Sequence, residues 1–522
     1  MSVPSSLLRV PVEMPNRSGH NLSHSNTFTG TTGTLIPVLC EELLPNDTVS
    51  LGAKLQVQFP PMVTDFYGKV DYVLEAFFVP NRLCWRGWQD FITHPTANPQ
   101  YPSNAPVEVK PGRVPTIDYP APSYDIPVDS LLHYLDYGKA LYGSFNGKVS
   151  ALPAIAYHRI WDDWYRDSRV QSPIFYPVSS LGSPESQLRS MPYLSTHSSG
   201  SPLAVHPTST FIDGVTLYSL RQRNWVKDYF TAASPLPQAG GASEVQFDVS
   251  SASETGAFSI STLRAANSLQ KWMERNNLAG YRYSDQIFAQ FGIYPSDAIM
   301  DRSLYLGRTV STVYNKSVYV TGQTELNQVV GTKAANSQVL SEGSLVDKFT
   351  ASEHGFLMVL ASLVPRPVYG SGCERRNFRS NVSDFAFPLL AGMGDQAILG
   401  RELNGDPTSD DVFGYTDLYA EYKFRNDKVH GKLVEGEDLS AYVLQRYFDQ
   451  SDPRISSSFL QIPVDYLDQV QAQASSILGY TYWAEIYFPF KKISTIPAYS
   501  QPTLADLKHA HTEYISRGGK RL

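Results

Sequence analysis

The sequence predicts a mainly β protein with long connections and a few short helices. Two observations carry this. Apolar and polar residues alternate with a period of two at many points along the chain, and no strand–helix–strand rhythm accompanies them. Composition supplies a third: the 522 residues include 36 prolines and 35 glycines, and 32 tyrosines against 8 methionines. Much of the chain must therefore run in aromatic-rich loops. Loops beyond ~12–15 residues are uncommon in compact domains unless they are functional or lie against partners.

Bulk properties narrow the class. The length suits several domains, or one fold enlarged by insertions. A formal net charge of −7 excludes a polycation that coats nucleic acid. Three cysteines, Cys40, Cys84 and Cys373, cannot build a disulfide framework and suit a reducing compartment. No charged-then-apolar leader opens the chain, so no secretory signal is expected. The longest apolar run, Gly355 to Val364, falls far short of the ~20 residues a membrane helix needs, so no membrane insertion is expected. Tyrosine suits contact surfaces because its ring buries area while its hydroxyl keeps a partner. A self-assembling protein, a carbohydrate-binding protein and a β-rich adhesin all fit.

Residues 1–30, with prolines at 4, 11 and 15, read as an extended N-terminal arm. His20 and His24 are four apart, but no helix, acid or cysteine accompanies them as a metal site requires. Leu35 to Val38 reads as a short strand, followed by a Pro45-Asn46-Asp47 turn. Ala53, Leu55, Val57 and Phe59 alternate with Lys54, Gln56 and Gln58 as a strand ended by Pro60-Pro61. Val70 to Val79 is a second strand, with Asp71 and Glu75 expected on its less buried face. Prolines between 95 and 127 point to surface loop.

Asp129 is placed to cap a short helix through Leu131, Leu132 and Leu135 that Gly138 stops. Pro153 opens a better-marked helix, with Tyr157, Ile160, Trp161 and Trp164 at helical spacing. Asp162, Asp163 and Asp167 beside them could be read as paired catalytic carboxylates, but a solvated helix face is the expectation. Residues 172–216 are rich in Ser, Pro and Gly and read as an external insertion. Arg221, Arg223 and Lys227 could touch phosphate, although a salt-bridged surface suits them better.

Val245, Phe247 and Val249 read as a strand, and Ile260 to Met273 as an amphipathic helix. Residues 311–345 are polar and are expected to form a second variable loop. Phe356 to Ala361 reads as a fully buried strand, and Phe385, Pro388, Leu389 and Gly394 to Leu399 as a short helical piece. Gly392-x-Gly394 is only a weak echo of a phosphate loop. From Asp417 to Arg425 apolar Leu418, Ala420, Tyr422 and Phe424 alternate with polar partners, a half-buried strand with an aromatic, partner-facing side. Tyr482 to Phe490 reads as a last strand, apolar on both faces and ending at Pro489. The tail from Lys508 is basic.

Several segments resemble the major capsid proteins of gokushovirus-type microviruses, small single-stranded-DNA phages. Asn21-Leu22-Ser23-His24-Ser25 and Phe77-Phe78-Val79-Pro80-Asn81-Arg82-Leu83 are specific boxes of that kind. Further agreement runs through Leu152-Pro153 to Asp167, Asp228-Tyr229-Phe230-Thr231, Leu263 to Gly307 and Val412 to Arg425. Leu236 and Ala239 replace a tryptophan and a lysine of the family pattern, and Arg308 replaces a glycine. The resemblance is collinear from residue 20 to about 505.

It implies an eight-stranded jelly-roll β-sandwich over residues 31–505, with long insertions, and a basic tail over 506–522. It further implies a structural protein without enzymatic activity or cofactor, self-assembling into a T=1 icosahedral shell around circular single-stranded DNA. Implied partners are an internal scaffolding protein, a minor pilot protein, a small basic DNA-binding protein and a host surface receptor. The implied location is the virion capsid, assembled in the host bacterial cytoplasm. Arg517, Lys520 and Arg521 are candidate DNA contacts, and Tyr415, Tyr419, Trp161 and Trp164 candidate subunit-interface residues.

Overall fold

A computed structural model describes most of residues 17–498; outside the description lie 1–16, 94–113, 175–203, 206–214, 238–263, 273–286, 320–332, 405–410, 499–522 and scattered shorter stretches. The described part is dominated by two antiparallel sheets. Their strands, in chain order, are β1 (Ser18–Asn21), β2 (His24–Gly30), β3 (Ile36–Leu43), β4 (Thr48–Gln58), β5 (Val70–Pro80) and β6 (Leu304–Thr312). They continue with β7 (Tyr314–Tyr319), β8 (Lys333–Thr350), β9 (Gly355–Pro365), β10 (Tyr482–Phe488) and β11 (Phe490–Ser494).

β4 is the axis of the larger sheet. It pairs with β8 on one edge and with β10 and then β11 on the other. β2 adds outside β10, β1 outside β11, and β7 outside β8. The smaller sheet has the order β6-β5-β9-β3. The core lies between the sheets: Val49, Leu51, Leu55 and Val57 of β4 face Tyr72, Leu74 and Phe78 of β5 and Leu357, Val359 and Leu363 of β9. Each such side chain contributes ~1.5–3 kcal/mol on burial.

The smaller sheet is covered twice. Its other face, with Phe77, Val79, Met358 and Leu360, packs on helix α1 (Leu152–Ile160) and on Trp85, Leu131 and Leu132. Burial from both sides is why β9 reads as an unbroken apolar run. At the sheet edge Gly307 sits at a register shift of β6, where a Cβ would lie 2.0 Å from the Leu345 carbonyl of β8. Only glycine permits that approach of the two sheets.

Several expectations need correction. The described end of the N-terminal arm is sheet edge: β1 and β2 occupy residues 18–30 and pair with β11 and β10. The expected loop over 311–345 is largely strand, the end of β6, then β7 and most of β8. Ladder hydrogen bonds to β4 do not depend on side-chain polarity, and Leu340 and Glu342 face solvent, so the wet face passed for a loop. The segment expected to be helical at 394–399 is a strand, Asp395–Leu399, paired with Val412–Asp417; the helix follows at Gly400–Asn404.

The strand expected over 417–425 stops at Asp417. Tyr419 takes φ 62°, which ends the ladder, and Ala420–Tyr422 is a 3₁₀ turn. Ser130, not Asp129, caps the Leu131–Tyr134 helix, its hydroxyl accepting from the His133 backbone N–H. β10 is apolar on one face only, with Glu485 and Tyr487 exposed, and the chain resumes after Pro489 as β11. The strand at 245–249, and most of the insertion at 172–216 and of the helix at 260–273, fall outside the described residues.

Candidate assembly surface and basic cleft

Two connections between sheet strands carry the rest of the chain, residues 81–303 between β5 and β6 and residues 366–481 between β9 and β10. Buried ion pairs tie the first to the sandwich. Glu75 of β5, expected on a wetter face, is buried and accepts from Arg223 (2.6 Å) and from the Tyr165 hydroxyl (2.6 Å). The three acids expected to be solvated are buried too. After α1 the helix continues as a π-turn, Trp161–Tyr165, which turns these carboxylates inward. Asp162 pairs with Arg166 (2.7 Å), and Asp163 with Arg159 (3.1 Å). Asp167 binds Arg169 (3.2 Å) and Lys227; burial would raise its carboxyl, but these cations hold it below the usual carboxylate range. Every one of these acids is consumed by a structural partner.

The basic run follows the same logic. Arg221 is buried, its Nε 3.0 Å from His158 Nδ1 and its guanidinium 4.5 Å from the Trp161 ring. Arginine can only donate, so Nδ1 of His158 accepts and Nε2–H donates to the Leu217 carbonyl (3.0 Å). Burial and Arg221 push the His158 pKa well below its ordinary value. Arg221 and Arg223 thus hold the insertion from inside, while Lys227 is exposed and forms the salt-bridged surface expected of the run, paired with Asp167.

The candidate interface residues divide accordingly. Trp161 is buried, its indole N–H donating to Gln222 (3.1 Å). Trp164 is partly buried, donates to the Ser303 carbonyl (3.0 Å) and lies 3.7 Å from the Arg302 guanidinium. Tyr415 is half-buried and bridges Ser234 through its backbone. Tyr419 is buried, its hydroxyl donating to the Phe385 carbonyl (3.2 Å). Arg517, Lys520 and Arg521 lie outside the described residues. His20 and His24 contact the backbone carbonyls of Ile496 and Leu22, and no group of metal-ligating side chains occurs among the described residues.

The second connection presents what the sequence did not single out. Its small core joins Tyr229 and Phe230 to Tyr369, Ile398, Leu403 and Phe413. From this core an apolar ridge projects: Val382, Phe385, Phe387 and Leu389 are exposed, Leu389 by 92%. A run of large exposed apolar groups marks a contact surface. The sequence reads Phe385, Pro388 and Leu389 as part of a short helical piece, but in the structure they follow the 3₁₀ turn Val382–Asp384 outside any helix.

Beside the ridge opens a cleft of about 200 Å³. Arg379 stands between the two, 4.5 Å from the Tyr422 ring and 5.8 Å from the Phe385 ring, and binds Glu421 (2.7 Å). Arg375 binds Glu402 (3.0 Å), whose carboxyl burial raises despite that cation. At the mouth, Glu374 is shared by Arg376 (2.7 Å) and Lys428; the Lys428 hydrogen bond, with Arg376 and Arg425, holds it below the usual glutamate value. Tyr422 and Phe424 on the rim are 56% and 58% exposed.

An anchored sandwich with an exposed apolar ridge offers a surface for contact with other molecules. Comparison with known proteins agrees. The model of the family described as "Capsid protein (F protein)" matches residues 9–252 and 245–504. Capsid protein VP1 of Chlamydia phage 1 is 24% identical across 95% of this chain and 97% of its own length. The VP1 proteins of Bdellovibrio phage phiMH2K (24% identical, 87% of this chain, 90% of its own) and Spiroplasma virus 4 (25%, 94% and 95%) align over similar spans. With the family model covering nearly all of a chain built this way, the chain belongs to the capsid protein (F protein) family and has a structural, capsid-forming role.

Proposed function

We propose that this chain is the major capsid protein of a gokushovirus-type microvirus, self-assembling into a T=1 icosahedral shell around circular single-stranded DNA. The observation that carries this reading is the collinear match of nearly the whole chain to the capsid family and to three phage VP1 proteins. Within the two sheets, the orders β2-β10-β4-β8 and β3-β9-β5-β6 support an eight-stranded jelly roll, with β1, β7 and β11 as additions. The two long connections are its insertions, the segment at 172–216 being the candidate host-facing loop.

Assembly rests on the ridge Val382, Phe385, Phe387 and Leu389, which a single copy leaves bare. Individual contacts can be weak, because in closed symmetry each subunit is held by several at once. A net charge of −7 fits a shell whose genome is neutralised largely by a small basic protein, aided by Arg517, Lys520 and Arg521 of the tail. An internal scaffolding protein, a minor pilot protein and a host receptor complete the partner set, with assembly in the host cytoplasm before the chain resides in the virion.

The test is co-expression with a scaffolding protein and electron microscopy of the product. Closed particles of one diameter support the reading; folded monomers or trimers alone contradict it.

A further inference from the structure

We propose that the cleft bordered by Arg376, Arg425, Lys428, Tyr422 and Phe424 binds single-stranded nucleic acid, phosphates on the cations and bases on the rings. The inference rests on the capsid reading and gives it a specific contact site within the described fold.

Charge is the first argument. Among the described residues, five cations line the cleft, Arg375, Arg376, Arg379, Arg425 and Lys428, against three carboxylates, Glu374, Glu402 and Glu421. Two of those carboxylates are taken individually, Glu402 by Arg375 and Glu421 by Arg379. The third, Glu374, is left to Arg376 and Lys428 together, with Arg425 close enough to act on it. In a chain of net charge −7 this is a local positive excess, held at an open mouth. Arg376 keeps 59% of its side chain exposed while paired, so a phosphate can reach it without breaking a buried contact.

Ring exposure is the second. Tyr422 and Phe424 present more than half of their surface to solvent on the same rim. Water is a poor neighbour for a phenylalanine ring, and a planar base can cover it at little conformational cost. A free phosphate would need the cations but leave the rings bare, and an acidic peptide would cover them only where an apolar side chain lay beside each acid. A single strand supplies both groups in every nucleotide. The cleft floor is closely packed: Gly372 passes so close to the Glu402 carbonyl that a Cβ would lie 2.0 Å from it, and the Tyr229 hydroxyl binds Glu402 at 3.0 Å.

The experiment uses the purified full chain and a fluorescein-labelled oligothymidine, followed by anisotropy across a salt series, with particle formation and DNA per particle measured in parallel. We expect the unsubstituted chain to bind, and Arg376→Ala, Arg425→Ala and Lys428→Ala combined to flatten the logarithmic salt slope by about two. Phe424→Ala should weaken binding about tenfold and Phe424→Trp should restore it with tryptophan quenching on binding. These side chains are exposed, and circular dichroism checks that the fold is kept. Failure of the unsubstituted chain to bind, or an unchanged salt slope in the folded triple variant, would overturn the assignment. Loss of particles with undiminished oligothymidine binding would also overturn it and make the cleft a contact between copies. Particle formation by the unsubstituted chain reports separately on the capsid reading.

Discussion

Arg223 reaches back 148 residues to Glu75, placing its Nη1 2.6 Å from Oε2 of a carboxylate in the middle of the smaller sheet. The pair is largely buried, is joined by the Tyr165 hydroxyl, and fastens the first long connection to the sandwich. Removing Glu75 leaves the Arg223 guanidinium with the Ser362 hydroxyl as its remaining polar side-chain contact, and removing Arg223 leaves Glu75 to Tyr165 and to Arg308 at 3.8 Å. Glu75→Gln or Arg223→Met should each destabilise the subunit by ~3–5 kcal/mol, and the combined variant by less than the sum. Chemical denaturation of the three proteins measures this; additive losses would show that the pair is not coupled.

His158 makes stability depend on pH. Its folded-state pKa lies well below the ordinary value, through burial first and Arg221 second. The unfolded chain therefore takes up a proton, beginning near pH ~6.5, that the folded chain refuses. The stabilisation is complete above that pH and falls as the solution is acidified toward the folded pKa. Thermal midpoints measured from pH 8 to pH 5 should drop on the acid side, and His158→Gln should flatten the slope. An unchanged slope would remove His158 from the account.

The core and the contact surface should separate by mutation. Trp161→Ala, inside the cluster behind the smaller sheet, should cost ~3–5 kcal/mol and lose assembly together with the fold. Leu389→Asp and Phe387→Ser, on the exposed ridge, should leave the melting curve nearly unchanged while abolishing particles. Calorimetry paired with electron microscopy distinguishes the two outcomes. Normal particles from the ridge variants would place the subunit contact elsewhere.

Thiol reactivity should follow the availability of the thiolate. Burial pushes both the Cys40 and Cys84 thiols up to about 12, so both stay protonated at pH 8. Cys373 is half-buried in the wall of the basic cleft. Iodoacetamide at pH 8 should label Cys373 well before the other two, and bound oligothymidine should slow that labelling. Mass spectrometry of tryptic peptides reads the order directly.

Much of the sandwich was legible because burial writes itself into composition. β4 alternates since one of its faces is wet, and β9 is apolar throughout since both of its faces are covered. β8 was hidden for the opposite reason: a long ladder with Gly343, Ser344 and Glu342 along it carries few apolar signals, yet its backbone pairs with β4 from Gln338 to Thr350. The alternation after Asp417 misled because period-two spacing says nothing about φ, and Tyr419 adopts the left-handed region with its N–H held by Gln396 (3.0 Å). Acids such as Asp162 and Asp163 look solvated in a string of letters. Their arginines sit one helical turn away, and only the packing of α1 on the sheet shows that both members are buried. The cleft could not be read at all, since Arg376, Phe424 and Lys428 meet only after the second long connection folds on its own small core.

The central claim is that this fold builds a closed shell through its inserted surfaces. Cryo-electron microscopy of the chain co-expressed with a scaffolding protein tests it most directly. The account predicts closed particles of a single diameter, with the ridge from Val382 to Leu389 buried between neighbouring copies. Folded subunits that remain monomeric or trimeric, or shells in which that ridge faces solvent, would contradict it.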